Sequence, residues 1–116
     1  MNYLKIEKKL KTNLKDLFTE KAEDNIFCES FCINNMQHFL SLGATLNFKL
    51  RRIFLSVHLT VKNKRPTYKV TGDSISQTFY NHQKLYNFVL SETVKFLSQN
   101  GYNLKNSLHF IKWDDV

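Results

Sequence analysis

The residues of this sequence that could do chemistry are mainly cations, and they are concentrated in one segment. Residues 49–84 contain eight Lys and Arg side chains and a single acid, Asp73. All three arginines of the chain lie in this segment, and two of them are adjacent, at Arg51 and Arg52. Lysine and arginine bind phosphate oxygens, and the planar guanidinium group matches phosphate geometry. The segment therefore points to the binding of a polyanion.

The formal charge of the whole chain belongs to this segment. The 116 residues include 17 Lys and Arg and 10 Asp and Glu, for a net charge of +7. Residues 49–84 alone carry +7, whereas residues 1–24 carry +1, residues 25–48 carry −1 and residues 85–116 carry none. Compositional drift toward lysine would be scattered along the chain, so the clustering indicates a surface that has a partner.

A second group of residues fits metal-independent cleavage of RNA. His58 or His82 would act as general base or acid, and Tyr80 would be a second proton donor. Nearby cations would stabilise the phosphorane charge: Lys84, Arg51 and Arg52. The sequence has no catalytic carboxylate pair, no phosphate-binding glycine loop and no nucleophile elbow. We therefore expect a binding protein, with ribonuclease as an alternative.

The two cysteines do not form a recognisable metal motif. Cys28 and Cys32 are four residues apart, and a zinc site would need two more ligands. The histidines are scattered singly along the sequence. A reducing compartment leaves such cysteines as thiols, and we expect them to be small core side chains. No metal and no other cofactor is expected.

Length and hydropathy favour a single intracellular domain. A chain of 116 residues fits one domain, which we place over residues 1–116. No apolar run is long enough to span a bilayer, and the lysine-rich N-terminus lacks the apolar core of a signal peptide. The expected location is therefore the cytoplasm, with no membrane partner.

The first third of the chain favours helices. Apolar side chains recur at helical spacing over residues 3–22. A similar stripe over residues 26–42, with Gly43 at the C-cap position, favours a second helix. The alternative for this stretch is a strand over Ile26 to Ile33 followed by a short helix.

From Ala44 onward the hydrophobic period changes to two. Residues 44–50 and 53–61 each alternate apolar and polar side chains, so Arg51 and Arg52 must form a tight turn or a bulge. Residues 63–66 favour a turn and residues 67–71 a third strand, and residues 79–99 are again helical, with Gly101 beyond the end. Residues 108–113 could add a last strand. The order predicts an α+β domain of two layers, with helices packed on one face of an antiparallel, three- to four-stranded sheet.

The face of this sheet turned away from the helices would carry the binding residues. Its alternating positions hold cations, hydroxyls and Phe54, which are side chains that bind phosphates and stack on bases. We expect the Lys64–Arg65 turn to project from the sheet in a shape that follows a groove. The candidate nucleic-acid-binding residues are Lys49, Arg51, Arg52, Phe54, His58, Lys62, Lys64, Arg65, Lys69 and Lys84.

The partner indicated by these residues is nucleic acid, DNA or RNA, contacted through phosphates without a base-specific code. One alternative is a phage- or plasmid-type inhibitor or accessory protein that docks on an acidic protein, with Phe54 or Tyr68 as its anchor. A solvated polar face with no partner is a further explanation, because antiparallel sheets often have one. Pairing of an edge strand could also produce a homodimer.

Overall fold

The computed structural model describes residues 3–34, 41–62 and 64–105. The described part contains two α-helices and five strands, which confirms the α+β class, although the expected number of strands was three to four. The position of the helices on one sheet face, and the single domain over residues 1–116, stay predictions. The elements are α1 (Tyr3–Leu17), β1 (Phe27–Asn34), β2 (Ser41–Lys49), β3 (Ile53–Lys62), β4 (Arg65–Gly72), β5 (Ser76–Phe79) and α2 (His82–Gln99).

The helix predicted over residues 26–42 is wrong. Residues 27–34 form β1, which agrees with the alternative of a strand, and Gly43 lies inside β2 instead of capping a helix. A short apolar run satisfies both periodicities, and its phenylalanines favour an extended chain. The short helix expected after this strand and the strand expected at residues 108–113 lie outside the described residues.

β5 was not predicted, because its four residues are mostly polar and too few to show a period. Ser76–Phe79 pairs with β4, from Thr71–Ser76 to Tyr68–Phe79. The helix expected from residue 79 therefore begins at His82. Pro66 has no N–H to donate to a neighbouring strand, which is consistent with β5 ending opposite Tyr68.

The contacts group the described chain into two compact units, of which the first, the sheet unit, covers residues 28–82. Its strands follow one another in the order β1-β2-β3-β4-β5. β3 is antiparallel to β2 on one side and to β4 on the other. One face of the three central strands is buried and apolar: Leu46, Phe48, Leu55, Val57, Leu59, Tyr68 and Val70.

The helical unit covers residues 1–27 and 83–116. The stripe of apolar side chains predicted for α1 is buried, at Ile6, Leu10, Leu14 and Leu17. Asn13 Nδ2 of α1 donates a hydrogen bond to the hydroxyl of Tyr86 of α2. The Tyr86 ring is buried, and this burial raises the pKa of its hydroxyl to about 12. These contacts join the two helices.

The end of α2 agrees with the sequence. Gly101 has a φ of +91°, in the left-handed region that glycine enters without a steric penalty. The N–H of Tyr102 donates to the carbonyl of Leu97 (3.1 Å), and the N–H of Gly101 donates to that of Ser98 (3.4 Å). This pair of bonds is the Schellman arrangement, in which glycine terminates the helix.

A hydrogen-bonded clasp joins the chain after α2 to the chain after α1. The N–H of Asn103 donates to Glu20 Oε2 (3.0 Å), and its side-chain amide donates to Glu20 Oε1 (2.8 Å). The N–H of Thr19 donates in return to the carbonyl of Asn103 (2.9 Å). The bond from the Asn103 N–H, helped by the Thr19 hydroxyl, lowers the pKa of the Glu20 carboxyl from 4.5 to about 2. The ionised form of Glu20 is therefore the form that supports the clasp.

We expect the stability contributed by Glu20 to disappear at acidic pH. A carboxyl whose pKa is lowered by folding stabilises the folded state above its unfolded pKa of about 4.5, and this contribution is lost as the pH falls toward about 2. Glu20→Gln should therefore be less stable than wild type at neutral pH, and the difference should shrink between about pH 4.5 and pH 2. Urea unfolding midpoints across this range measure it, with Glu92→Gln as the control. A difference that does not change with pH would contradict the role of the ionised carboxylate.

Gly72 of β4 leaves little room for a side chain. A Cβ at this residue would lie 3.0 Å from the backbone oxygen of Phe54, an atom that cannot move without disturbing β3. We expect Gly72→Ala to lower the free energy of unfolding by roughly 1–3 kcal/mol, the usual penalty of overpacking. Chemical denaturation measures the change, with Thr78→Ala on the exposed part of β5 as the control. Equal midpoints for the two variants would show that the strands adjust at no cost.

Candidate nucleic-acid interface

The basic segment is divided between the two ends of β3. Lys49, Arg51 and Arg52 lie where β2 passes into β3, as the expected irregular turn. Lys62, Lys64 and Arg65 lie where β3 passes into β4. A strand of this length separates the two groups by about 30 Å. The cations that are clustered in sequence therefore form two groups in space.

The group at the start of β3 is largely neutralised. Lys49 Nζ lies 2.6 Å from Glu29 Oε1 of β1. Arg52 donates to both oxygens of Asp73, at 2.9 and 3.4 Å. Arg51 is exposed, and no ion pair is seen for it within the described ranges. Partly exposed ion pairs of this kind add little stability, but they cancel the local charge.

The cations between β3 and β4 have no carboxylate of the sheet unit left to pair with. These cations are Lys62, Lys64 and Arg65. The unit contains only two acids, Glu29 and Asp73, and both are engaged at the opposite end. Lys62 and Arg65 are direct register partners, an arrangement of like charges that destabilises a sheet. Arg65 and Lys64 are exposed, whereas the side chain of Lys62 lies outside the described residues.

Lys64 occupies an unusual backbone position in this group. Its φ is +62°, which residues with a Cβ rarely adopt. The turn is shorter than the predicted residues 63–66, because Arg65 and Pro66 already belong to β4. The turn extends beyond β5, which ends opposite Tyr68, but β2 accompanies β3 as far as the Ser41–Lys62 pair. The cations therefore lie at the end of a continuous sheet.

The polar face of the sheet unit is tied together by hydrogen bonds. His58 of β3 lies between two threonine hydroxyls, with Nδ1 3.1 Å from Thr45 Oγ1 and Nε2 3.3 Å from Thr71 Oγ1. Beside it, the hydroxyl of Ser56 donates to Asn47 Oδ1 (2.7 Å). Both ring nitrogens of His58 are engaged, so this residue joins three strands. Its geometry suits a structural role better than the predicted contact with nucleic acid.

Phe54 is not the exposed aromatic residue that the alternation predicts. It is 8% exposed, whereas Ile53, expected to be inside, is 46% exposed. The register explains the exchange: Phe48 pairs with Leu55 and Lys49 with Ile53, which leaves Phe54 as the extra residue of a bulge. Tyr68, the other expected anchor, is also buried, and this burial raises the pKa of its hydroxyl.

The remaining predicted residues are exposed. Lys69 lies in the middle of β4, where its register partners are His58 on β3 and Thr78 on β5. Lys84 lies in the first turn of α2, close in sequence to His82, and belongs to the helical unit. Within residues 3–34, 41–62 and 64–105, no three metal-ligating side chains are grouped. The helices described also include none with the length and hydropathy that a membrane span requires.

Among the side chains of the sheet unit that the structure describes, Tyr80 is an exposed aromatic residue. Its side chain is 75% exposed, and it directly follows Phe79, the last residue of β5. Phe79 is the partner of Tyr68 in the last register pair of β4 and β5, so Tyr80 is the first residue beyond this pair. The sequence pattern indicates only a proton donor at Tyr80, since its place at the end of a strand depends on β5.

Comparisons with known proteins find no relative of this chain. No protein-family model matches the chain, and searches of curated proteins and of solved structures also find no match. The function must therefore be argued from the residues and contacts of the chain itself.

Proposed function

We propose that this protein binds nucleic acid through the cations at the turn between β3 and β4, together with Lys69. The observation that supports the proposal most is the separation of charge within the sheet unit. Both of its carboxylates pair with cations at one end, so no carboxylate of the unit is left to pair with Lys62, Lys64 or Arg65 at the other. A polyanion relieves the repulsion between them and gains the release of its counterions.

The backbone at Lys64 gives the proposal independent support. A left-handed φ costs a residue with a Cβ of order 1–3 kcal/mol, and glycine would avoid this penalty. Folding alone therefore favours glycine at this position. A lysine here is explained if its charge has a function.

Hydroxyl groups between the cations fit the same ligand. Thr60 and Thr67 are register partners, and they lie between the pairs His58–Lys69 and Lys62–Arg65. Threonine hydroxyls donate to phosphate oxygens, a contact that positions a nucleic acid without reading its sequence. We therefore expect phosphate recognition with little preference for base sequence.

The two alternative functions receive less support. Docking on an acidic protein requires an aromatic anchor, but both residues expected in that role, Phe54 and Tyr68, are buried. Ribonuclease chemistry would have to rely on His82, because His58 is held by Thr45 and Thr71. No described contact favours either function over binding to nucleic acid.

Replacement of Lys64 by glycine separates binding from folding. We expect Lys64→Gly to weaken binding and to lower the slope of log K against log salt by about 0.7–0.9, the loss of one phosphate contact. The unfolding midpoint should be unchanged or higher, because glycine adopts this φ without strain. Fluorescence anisotropy with labelled DNA and RNA, from about 50 to 200 mM salt, measures the slope.

Arg52→Gln is the matched control, because it removes the same formal charge from a cation that is already paired with Asp73. We expect this variant to change the slope much less than Lys64→Gly. Equal effects of the two variants would mean that binding follows net charge and not the proposed site. Absence of salt-dependent binding for every probe would overturn the proposed function itself.

A further inference from the structure

Three polar residues of β4 form a single row along one face of the strand. Arg65, Thr67 and Lys69 occupy alternate positions of the strand and therefore share one face. Neighbouring residues of this row are about 6.7 Å apart, since each is two positions from the next along the strand. Arg65 and Lys69 are exposed and Thr67 is partly exposed. This row of cation, hydroxyl and cation can contact successive phosphates of one extended backbone.

A duplex would need a second row of cations for its other backbone. The described residues of this face do not include such a row. The neighbouring positions on β3 are held by His58, Thr60 and Lys62, so β3 contributes one cation, opposite Arg65, and His58 is engaged by two threonines. Entry of the hairpin into a groove is also disfavoured. A groove admits a ribbon of two strands, whereas β2 continues beside β3 as far as Lys62.

An exposed aromatic residue follows the last register pair of β4 and β5. β5 ends at the Tyr68–Phe79 pair, so it does not continue along β4 beside Arg65 and Thr67. Tyr80 follows at this point with its side chain 75% exposed. An exposed ring can stack on a base only if that base is unpaired, and such stacking tolerates any base.

We infer that the nucleic acid bound here is a single strand, whose backbone follows β4 from Lys69 to Arg65 and one of whose bases stacks on Tyr80. This inference rests on the proposed function and assigns its substrate class. The single-strand inference depends on the combination of one row of phosphate-binding side chains with an exposed aromatic ring. DNA and RNA share the chemistry that it requires.

The test compares strand types and removes the ring. Labelled oligomers of about 16 nucleotides, poly-dT, poly-rU, an abasic DNA strand and a DNA duplex, are titrated against the full chain. We expect wild type to bind both single strands more tightly than the duplex. Tyr80→Leu should bind them about tenfold more weakly, with no change for the duplex or the abasic strand. Tyr80→Phe keeps the ring and should bind like wild type, and Lys69→Gln should lower the salt slope by about 0.7.

The outcomes separate this inference from the function on which it rests. Equal binding of single strands and duplex, or an equal effect of Tyr80→Leu on both, overturns the single-strand assignment and leaves nucleic-acid binding in place. Loss of binding to every probe in wild type overturns both. A preference for poly-dT or for poly-rU identifies the source of the strand, and either result supports the inference. Unfolding midpoints show whether Tyr80→Leu retains the fold.

Discussion

The pairing of β3 on both sides is the constraint on which the rest of the sheet unit depends. β3 is antiparallel to β2 and β4 at once, so its register fixes the positions of three strands. A slip of one residue would exchange the two faces and expose Leu55, Val57 and Leu59 to solvent. The same register places Lys62 opposite Arg65 at one end of the unit. The burial of the apolar face therefore also fixes where the charges lie.

Charge separation follows from where the two carboxylates fall in this register. Asp73 follows β4 and reaches Arg52, whereas Glu29 lies on β1 and reaches Lys49. Both acids are thereby used at the end of the sheet unit where β3 begins. Of the five net positive charges of the unit, four consequently lie elsewhere, on Lys69 and at the turn between β3 and β4, and the fifth is Arg51.

Local pattern was sufficient for the elements whose signal is long and regular. The apolar stripe of α1, the alternation of β3 and the glycine after α2 all predicted the observed structure. The errors arise where the outcome depends on a distant partner. β1 satisfies both periodicities, β5 needs β4 beside it, and Phe54 is turned inward by a bulge that depends on β2. The pairing of Glu29 with Lys49 could not be predicted from the sequence for the same reason, since it requires β1 to be a strand.

Protection of the sheet edges does not explain most of the remaining cations. Lysine on an edge strand deters aggregation, so a purely protective role would concentrate charge on β1 and β5. β5 has no charged residue, and the one charged residue of β1 is Glu29, which is paired with Lys49. Lys62 and Lys69 instead have a paired strand on both sides, whereas Arg65 lies on the part of β4 that β5 does not cover. A like-charged pair and a left-handed lysine oppose folding, and both occur within residues 62–65. Such a concentration of unfavourable features is expected where a surface is arranged to hold an anion.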